Sequence, residues 1–272
     1  MKSYEIIVVG SGIGGLCCGS ILALAGYKVL ICEAHYKPGG VAHGFKRNGY
    51  SFESGPSLWS GLGKWPTSNP LGQILYLLEE GVNVKTYKSW RVLFPEADFD
   101  LEVGDEPFRN KIKSLRGENS LEQWDSFINS IKPISKAISK TSLLTTSPDN
   151  LNLFEILNLA KKFLPNLNSL KKITKGFGHL VDESLEDPFL RNWVDLLSFL
   201  ISGMAMHDTN TAAMATLFEE WFDPSACLEY PLGGSEAIVD ALVNGFQKND
   251  GEIILSSRVE SINFDKNGAT GI

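Results

Sequence analysis

The sequence predicts an α/β fold in which a nucleotide-binding unit is interrupted by an inserted, helix-rich α+β domain. Three observations carry this. The β-branched run Ile6-Ile7-Val8-Val9 leads into Gly10-x-Gly12-x-x-Gly15, a second apolar run ends in Glu33, and residues 66–227 turn from Gly-rich to Leu-, Asn- and Lys-rich.

The first unit has to be separated from two other readings, because no charged residue occurs from Ile6 to Tyr27. That run exceeds the length of about 18 residues at which a transmembrane helix becomes a candidate. A secretory signal would use Lys2 as its n-region and Ala23-Leu24-Ala25 as a cleavage mimic. Both readings require one continuous helix. Gly10, Gly12, Gly14, Gly15 and Gly19 oppose it, since each interior glycine costs a helix about 1 kcal/mol relative to alanine. The β-branched run before them prefers an extended chain.

Spacing then assigns each part. A strand over Ile6–Val9 enters a tight turn at Gly10, Gly12 lets the backbone approach a pyrophosphate, and Gly15 lets helix and strand pack closely. A helix over about Gly14 to Ala25 ends at Gly26, and its N-terminus offers free N–H groups and a positive dipole end to phosphates. The strand Lys28–Cys32 delivers Glu33, whose carboxylate can hold both hydroxyls of a ribose. This strand, helix, strand and acid make a Rossmann-like unit. A second glycine pair, Gly39-Gly40, is followed by a hairpin and by Ser54-Gly55-Pro56-Ser57. Nicotinamide-dependent dehydrogenases have no general need for that pair; flavin enzymes show it.

The inserted domain is read from 66 to 227, leaving 1–65 and 228–272 as the discontinuous nucleotide domain. Asn69-Pro70 starts a helix that ends at Gly81, and Trp90–Phe94 and Phe99–Val103 are strands around Pro95-Glu96-Ala97-Asp98. Ser120-x-x-Gln123 reads as a capping box. Asp187-Pro188 opens a helix to about Gly203 that places Phe189, Trp193, Leu196, Leu197 and Leu200 on one broad face, either core or the lining for a long apolar substrate. Residues 153–175 mix Leu and Phe with Lys161, Lys162, Lys171, Lys172 and Lys175, which is either a solvated helix face or a segment lying in a membrane headgroup region. After the insertion, Gly233-Gly234 turns the chain, Ser235 caps a helix carrying Ile238, Leu242 and Phe246, and Ile253–Leu255 and Val259–Ile262 are extended. Asn267-Gly268 is a hairpin turn with only four residues after it, too few for a returning strand.

Composition narrows the function classes. A net charge of −7 with no basic stripe argues against nucleic acid as a partner. Cys17, Cys18, Cys32 and Cys227 form no C-x-x-C pair and read as reduced core thiols of a reducing compartment, with neither a signal peptide nor a transmembrane helix. No metal-spaced ligand set, Gly-x-Ser-x-Gly elbow or His-Glu-x-x-His is present, and no catalytic residue is assigned. His207 beside Asp208 is either a proton pair or local surface polarity.

The stretch from Glu33 to Gly61 resembles the phytoene desaturase-type family of FAD-dependent carotenoid oxidoreductases, and is most similar to its carotenoid isomerase (prolycopene isomerase-like) and retinol saturase branch. The stretch 230–262, with its Pro-x-Gly-Gly turn, helix and strand, is similar to the returning element of the same superfamily. The resemblance implies a Rossmann-like FAD-binding domain of the amine-oxidase-like flavoprotein type, incomplete here, with the insertion as substrate domain. It implies FAD as cofactor and a cofactor-binding set of Gly10, Gly12, Ile13, Gly14, Gly15, Glu33, Ala34, Gly39, Gly40 and Val259, the last touching adenine through its backbone. His35 stands where many wider relatives carry an arginine near the phosphates. The implied reaction is cis-trans isomerisation, desaturation or saturation of a carotenoid or related polyene, with the isoalloxazine supplying the redox chemistry. The implied setting is a cytoplasmic or plastid-type interior, with peripheral membrane contact as an option. Full-length members of the family continue with more substrate domain and a Gly-Asp segment that closes over the flavin, so this chain is expected to correspond to their N-terminal part. Two readings compete: a flavin or nicotinamide reductase of some other substrate, and a non-catalytic nucleotide-binding remnant.

Overall fold

The computed structural model describes residues 3–56, 58–67, 69–139, 176–222, 228–266 and 268–272. It divides into two compact units, Met1–Tyr87 with Cys227–Ile272, and Lys88–Ala226.

In the first unit, β1 (Ile6–Val9), α1 (Ile13–Leu24) and β2 (Val29–Cys32) form a parallel crossover, and β10 (Glu252–Ile254) adds to the far side of β2, giving the order β1-β2-β10. The central strand β2 is buried along its whole length, as a continuous apolar run in a parallel sheet requires. The edge strand β1 is only half-buried, so the uncharged run is not explained by complete burial of its first strand. The helix α1 follows a strand and a turn, which excludes the continuous apolar helix of a membrane span or signal. Among the described residues no helix is long and apolar enough to cross a membrane.

The final helix of this unit, α8 (Ser235–Lys248), lies against α1 at small residues. A Cβ added to Gly19 would stand 2.8 Å from Ile31 and 3.4 Å from Phe246, and the Ser20 hydroxyl donates to the Leu242 carbonyl at 3.5 Å. Leu16, Ile31, Ile238, Leu242 and Phe246 form the buried centre. Ser235 does not cap α8. The cap position is Gly234 without a side-chain bond, and Ser235 is the first helical residue, its hydroxyl drawn to Glu53 and Pro56.

The boundary at residue 66 moves. Strand β6 (Val84–Thr86) pairs with β9 (Leu228–Pro231), which also pairs with β5 (Trp59–Ser60), and α2 (Pro70–Leu77) contributes Leu71 and Leu75 to the same core. Hydrogen bonds and packing therefore hold residues 66–87 in the first unit. Asn69 accepts from Leu71 N–H at 2.8 Å as the α2 cap, but the helix stops at Leu77, ahead of Gly81, with Glu79 in the left-handed region at φ 57°. The chain does return at this turn: β12 (Gly268–Gly271) pairs antiparallel with β11 (Asn263–Asp265), while Val259–Ile262 lie outside any strand. A hairpin of three-residue reach needs no more.

In the second unit, β7 (Ser89–Leu93) and β8 (Asp98–Glu102) form a hairpin around the expected turn, followed by α3 (Asp105–Arg116), α4 (Glu118–Ser139), α5 (Phe177–Ser184), α6 (Pro188–Ser202) and α7 (Thr211–Phe222). Phe108 sits 4.9 Å from Trp124 and 4.7 Å from Trp193, ring centre to ring centre, in a core rich in aromatics. Ser120 and Gln123 form no capping box, because α4 begins two residues earlier, at Glu118. Both reach across to the start of α6: the Ser120 hydroxyl donates to Asp187, and Gln123 Oε1 accepts from Glu186 and Asp187 N–H at 2.8 and 3.0 Å. Asp187 itself accepts from Phe189 N–H at 2.8 Å and pairs with Arg116 at 3.0 Å. On α6, Phe189, Trp193 and Leu197 are buried with Leu190 and Val194, but Leu200 is 55 % exposed. His207 pairs not with its neighbour Asp208 but with Asp182 at 3.1 Å, and that bond, with Arg191, holds the Asp182 carboxyl below its ordinary range. The lysine-flanked segment 153–175 and Cys227 lie outside the described residues.

Candidate functional site

The phosphate-type turn is built by two different uses of glycine. Gly10 takes φ +95° and donates its N–H to the Cys32 carbonyl at 2.8 Å, closing the strand into the turn. A Cβ on Gly15 would stand 2.1 Å from the Gly10 carbonyl oxygen and 3.5 Å from Val8, so that position admits hydrogen alone. Above Gly12 and Gly14 the opposite holds: an added Cβ meets nothing within 4 Å. The space over the turn is open, and the amides of Ile13, Gly14 and Gly15 precede the first intrahelical bond, Leu16 N–H to the Gly12 carbonyl. Free N–H groups at a helix N-terminus suit an anion.

Glu33 is fixed by Ser11, a residue that the motif leaves unspecified. Ser11 is fully buried, and both its N–H and its hydroxyl donate to Glu33 Oε2 at 2.7 Å, while His35 N–H donates to Oε1 at 2.8 Å. Burial acts to raise the Glu33 pKa, but these bonds outweigh it and hold the carboxyl below its ordinary value. The carboxylate stays ionised and keeps lone pairs on Oε1 for a further donor.

The second glycine pair comes to the same turn. Gly39 N–H donates to the Ser11 carbonyl at 2.8 Å and Gly39 bridges Gly12 in parallel. Gly39 and Gly40 take φ 111° and 58°, and a Cβ on Gly40 would lie 3.0 Å from Gly12 Cα. Lys37 pins the approach, donating from Nζ to Glu236 at 2.8 Å and to the Gly44 carbonyl at 3.0 Å. His43 follows: its Nδ1 donates to the Gly40 carbonyl at 2.6 Å, leaving Nε2 to accept from the Ser54 hydroxyl at 3.1 Å. A carbonyl only accepts, so the tautomer is set by Gly40.

The ten sequence-derived cofactor positions fall as follows. Gly10, Gly12, Ile13, Gly14, Gly15, Glu33, Gly39 and Gly40 converge on one turn, and Ala34 is exposed beside it. The chain leaving β10 returns along Glu33, with Ser256 N–H donating to His35 O at 2.9 Å and Ser257 N–H to Glu33 O at 2.7 Å. Val259, two residues beyond Ser257, is half-buried and lies outside any strand. His35 is exposed, its ring 5.0 Å from that of His43. Ser11, Lys37 and Glu53 were not anticipated, since they act by tertiary bonds, and neither was His43, whose bonds are local to the second glycine pair and the hairpin. A further unanticipated group, buried Glu229 on β9, accepts from Leu62 N–H at 2.6 Å and from Gly63 N–H at 3.2 Å and so shapes the loop before α2.

Among the described residues no group of three or more His, Cys, Asp or Glu side chains is arranged to hold a metal. Cys17 and Cys32 are free thiols in or beside the core, and burial, followed by the neighbouring Cys18, pushes Cys17 up to about 11. Cys18 is exposed, which corrects its assignment to the core, because α1 turns that face away from β2.

Residues 8–71 match the model of the NAD(P)-binding Rossmann-like domain family. The chain is 25 % identical to prolycopene isomerase 1 of an Oncidium hybrid cultivar, over all of this chain and 46 % of that protein. It is 27 % identical to all-trans-retinol 13,14-reductase of Rattus norvegicus, over 98 % of this chain and 43 % of the relative. With the 4,4'-diapophytoene desaturase of a Methylomonas species it shares 24 % identity over its full length and half of that enzyme. The chain thus spans about half the length of the curated relatives it matches. The fold is shared with an oxidoreductase from Methanosarcina mazei, TM-score 0.63 at 17 % identity over 97 % of this chain and 54 % of the other. It is shared also with a putrescine oxidase, TM-score 0.62 at 16 % identity over 98 % and 54 %.

Proposed function

We propose that this chain, which by its homologues belongs with the carotenoid-type FAD oxidoreductases, binds FAD at the Gly10–Gly15 turn and serves a redox or isomerisation reaction on a carotenoid or retinoid polyene. One observation carries the reading: Gly39-Gly40 is laid against Gly12 while Ser11 and His35 hold Glu33 ionised beside the same turn. A flavin dinucleotide would use both features. Its pyrophosphate takes the open space above Gly12 and Gly14 and the first amides of α1, and a ribose hydroxyl takes the remaining lone pair of Glu33. The second glycine pair brings bare backbone to within contact of the same ligand, which a single Rossmann turn does not require.

The bound isoalloxazine would supply the hydride or electron chemistry. The chain's part is to bind and orient. Gly10 and Gly15 hold the turn, Ser11 and His35 keep Glu33 charged and directed, and Lys37 presses the Gly39-Gly40 segment onto α8. An ionised Glu33 also repels a 2′-phosphate, which disfavours a phosphorylated nicotinamide dinucleotide. The polyene substrate is supported by the activities that name the relatives, an isomerase, a reductase and a desaturase. No acid–base cluster in the described residues selects among the three.

The similarity of residues 8–71 to the NAD(P)-binding Rossmann-like domain family favours a second reading, a nicotinamide dinucleotide at the same turn. One experiment separates them. The purified chain is scanned for flavin absorbance, titrated with FAD, NAD and NADP by quenching of its tryptophans, and incubated with polyenes that are then chromatographed. FAD binding with a changed isomer or saturation pattern supports the proposal. Tight NAD binding with no affinity for FAD overturns it.

A further inference from the structure

The hairpin of β3 (Gly44–Arg47) and β4 (Tyr50–Glu53) projects from the unit with an exposed aromatic face. Its register pairs Gly44 with Glu53, Phe45 with Phe52, Lys46 with Ser51 and Arg47 with Tyr50. Period-two alternation therefore puts Phe45, Arg47, Tyr50 and Phe52 on one face and Gly44, Lys46, Ser51 and Glu53 on the other. Only the base of the polar face is turned to the protein, at Gly44 and Glu53, while Lys46 and Ser51 are exposed like the aromatic face. Glu53 accepts from Ser235 N–H at 2.6 Å, the Gly44 carbonyl accepts from Lys37 at 3.0 Å, and a Cβ on Gly44 would lie 2.9 Å from Glu236. The aromatic face is left outward: Tyr50 is 71 %, Phe52 46 % and Phe45 39 % exposed, with the two phenylalanines stacked at 5.3 Å.

A sheet face in water is ordinarily its polar one. Contiguous exposed aromatics mark a surface that meets another molecule or phase. A protein partner is a poor fit, because two strands of four residues offer far less than the roughly 800 Å² per side of a stable interface. The chemistry of the face favours a bilayer. Aromatic rings settle at the headgroup boundary, and Arg47, beside Tyr50 on the same face, can lay its stem along the apolar surface with its charge among lipid phosphates. Arg47 and the adjacent Lys46 make this tip locally positive in a chain of net charge −7.

We propose that the β3–β4 hairpin docks the protein on an anionic bilayer, with Phe45, Tyr50 and Phe52 in the headgroup boundary and Arg47 at the lipid phosphates. The proposal is independent of which dinucleotide the turn binds, and it places membrane contact at a different point from the lysine-flanked segment 153–175.

The test is co-sedimentation of the whole chain with vesicles of phosphatidylcholine containing phosphatidylglycerol, against phosphatidylcholine alone and no vesicles. The wild-type chain is expected to pellet with the mixed vesicles and to be released by salt. Arg47→Gln should weaken partitioning about fivefold on mixed vesicles and hardly at all on neutral ones. Phe45→Ser with Tyr50→Ser should abolish pelleting while the circular dichroism spectrum is retained, and Tyr50→Ser alone, at the exposed tip, should give a partial loss even if the double variant misfolds. Flavin content is read in the same samples, so that loss of docking and failure of cofactor binding are distinguishable. Pelleting that is absent, or equal in wild type and variants, overturns the proposal. So does a concentration-dependent self-association without vesicles that Tyr50→Ser removes, because the face would then belong to a second copy of the chain.

Discussion

Two glycines three residues apart should respond to the same substitution in opposite ways. In Gly15→Ala the new methyl arrives 2.1 Å from the Gly10 carbonyl oxygen. That atom cannot yield cheaply, since Gly10 is tied through its N–H to Cys32 at the end of the central strand β2. Overpacking of this kind costs about 1–3 kcal/mol, and contact with fixed backbone belongs at the upper end. Alanine returns about 1 kcal/mol as the better helix former. The net is a loss of about 2 kcal/mol, or a fall of roughly 4–8 °C in the thermal midpoint for a chain of this size. In Gly12→Ala the methyl meets nothing within 4 Å, and φ −62°, ψ 171° are open to any residue. Alanine is the poorer N-cap by up to about 1 kcal/mol, and reduced freedom of the unfolded chain offsets about 0.4–1 kcal/mol, so stability should be nearly unchanged. Dinucleotide affinity should nonetheless fall about tenfold or more, because the methyl occupies the space a pyrophosphate needs. Thermal melts of both variants, paired with FAD titration, give the readout. Wild-type affinity in Gly12→Ala would refute the placement of the pyrophosphate, and wild-type stability in Gly15→Ala would refute the packing argument.

Other outcomes follow from single side chains. Asp187→Ala removes the cap of α6 together with the partner of half-exposed Arg116, and should lower stability by about 2–3 kcal/mol in urea titration. Burial acts to raise the Asp187 pKa, and the bonds from Arg116, Ser120 and Phe189 outweigh it and hold it below the ordinary value. Its contribution is therefore complete above the ordinary carboxylate range and lost as pH falls below it, so Asp187→Asn should flatten the acid limb of a thermal-midpoint profile. Glu53→Ala leaves Ser235 N–H without its acceptor at the start of α8, and should cost about 1–2 kcal/mol by the same denaturation assay. Iodoacetamide at mildly alkaline pH should label Cys18 well before Cys17, whose thiol is pushed up to about 11 by burial and by Cys18, as peptide mass mapping would read.

Legibility in the sequence tracked the range of the interaction. The turn Gly10–Gly15, the ends of α1, the Asn69 and Asp187 caps and the β7–β8 hairpin were all written locally, in residues within a few positions of one another. What acts across the chain was not. Ser120 and Gln123 carry the spacing of a capping box, yet the same donors and acceptors serve Asp187 and Glu186 more than sixty residues away, and nothing in the spacing distinguishes a cap from a tertiary bond. The domain boundary failed for the same reason. Composition changes at residue 66, but β6 finds its partner in β9, and strand pairing at that separation leaves no local trace.

The helix α1 shows where pattern reading reaches its physical end. Its residues are apolar on every side, so the glycine spacing identifies the element but no periodicity marks the face that packs. The structure makes the choice by size: Gly19 and Ser20 admit α8 and Ile31 closely, while Cys18 and Ile21, no less apolar, are exposed. The candidate site combines both kinds of information. The glycines could be read because a turn with positive φ or a carbonyl at contact distance constrains residue type at a single position. Ser11 could not, because a serine in that slot gains its meaning only when Glu33, 22 residues on, is brought beside it by the parallel pairing of β1 and β2. The motif supplies a surface that can accept a phosphate, and the sheet supplies the charge that makes the surface selective.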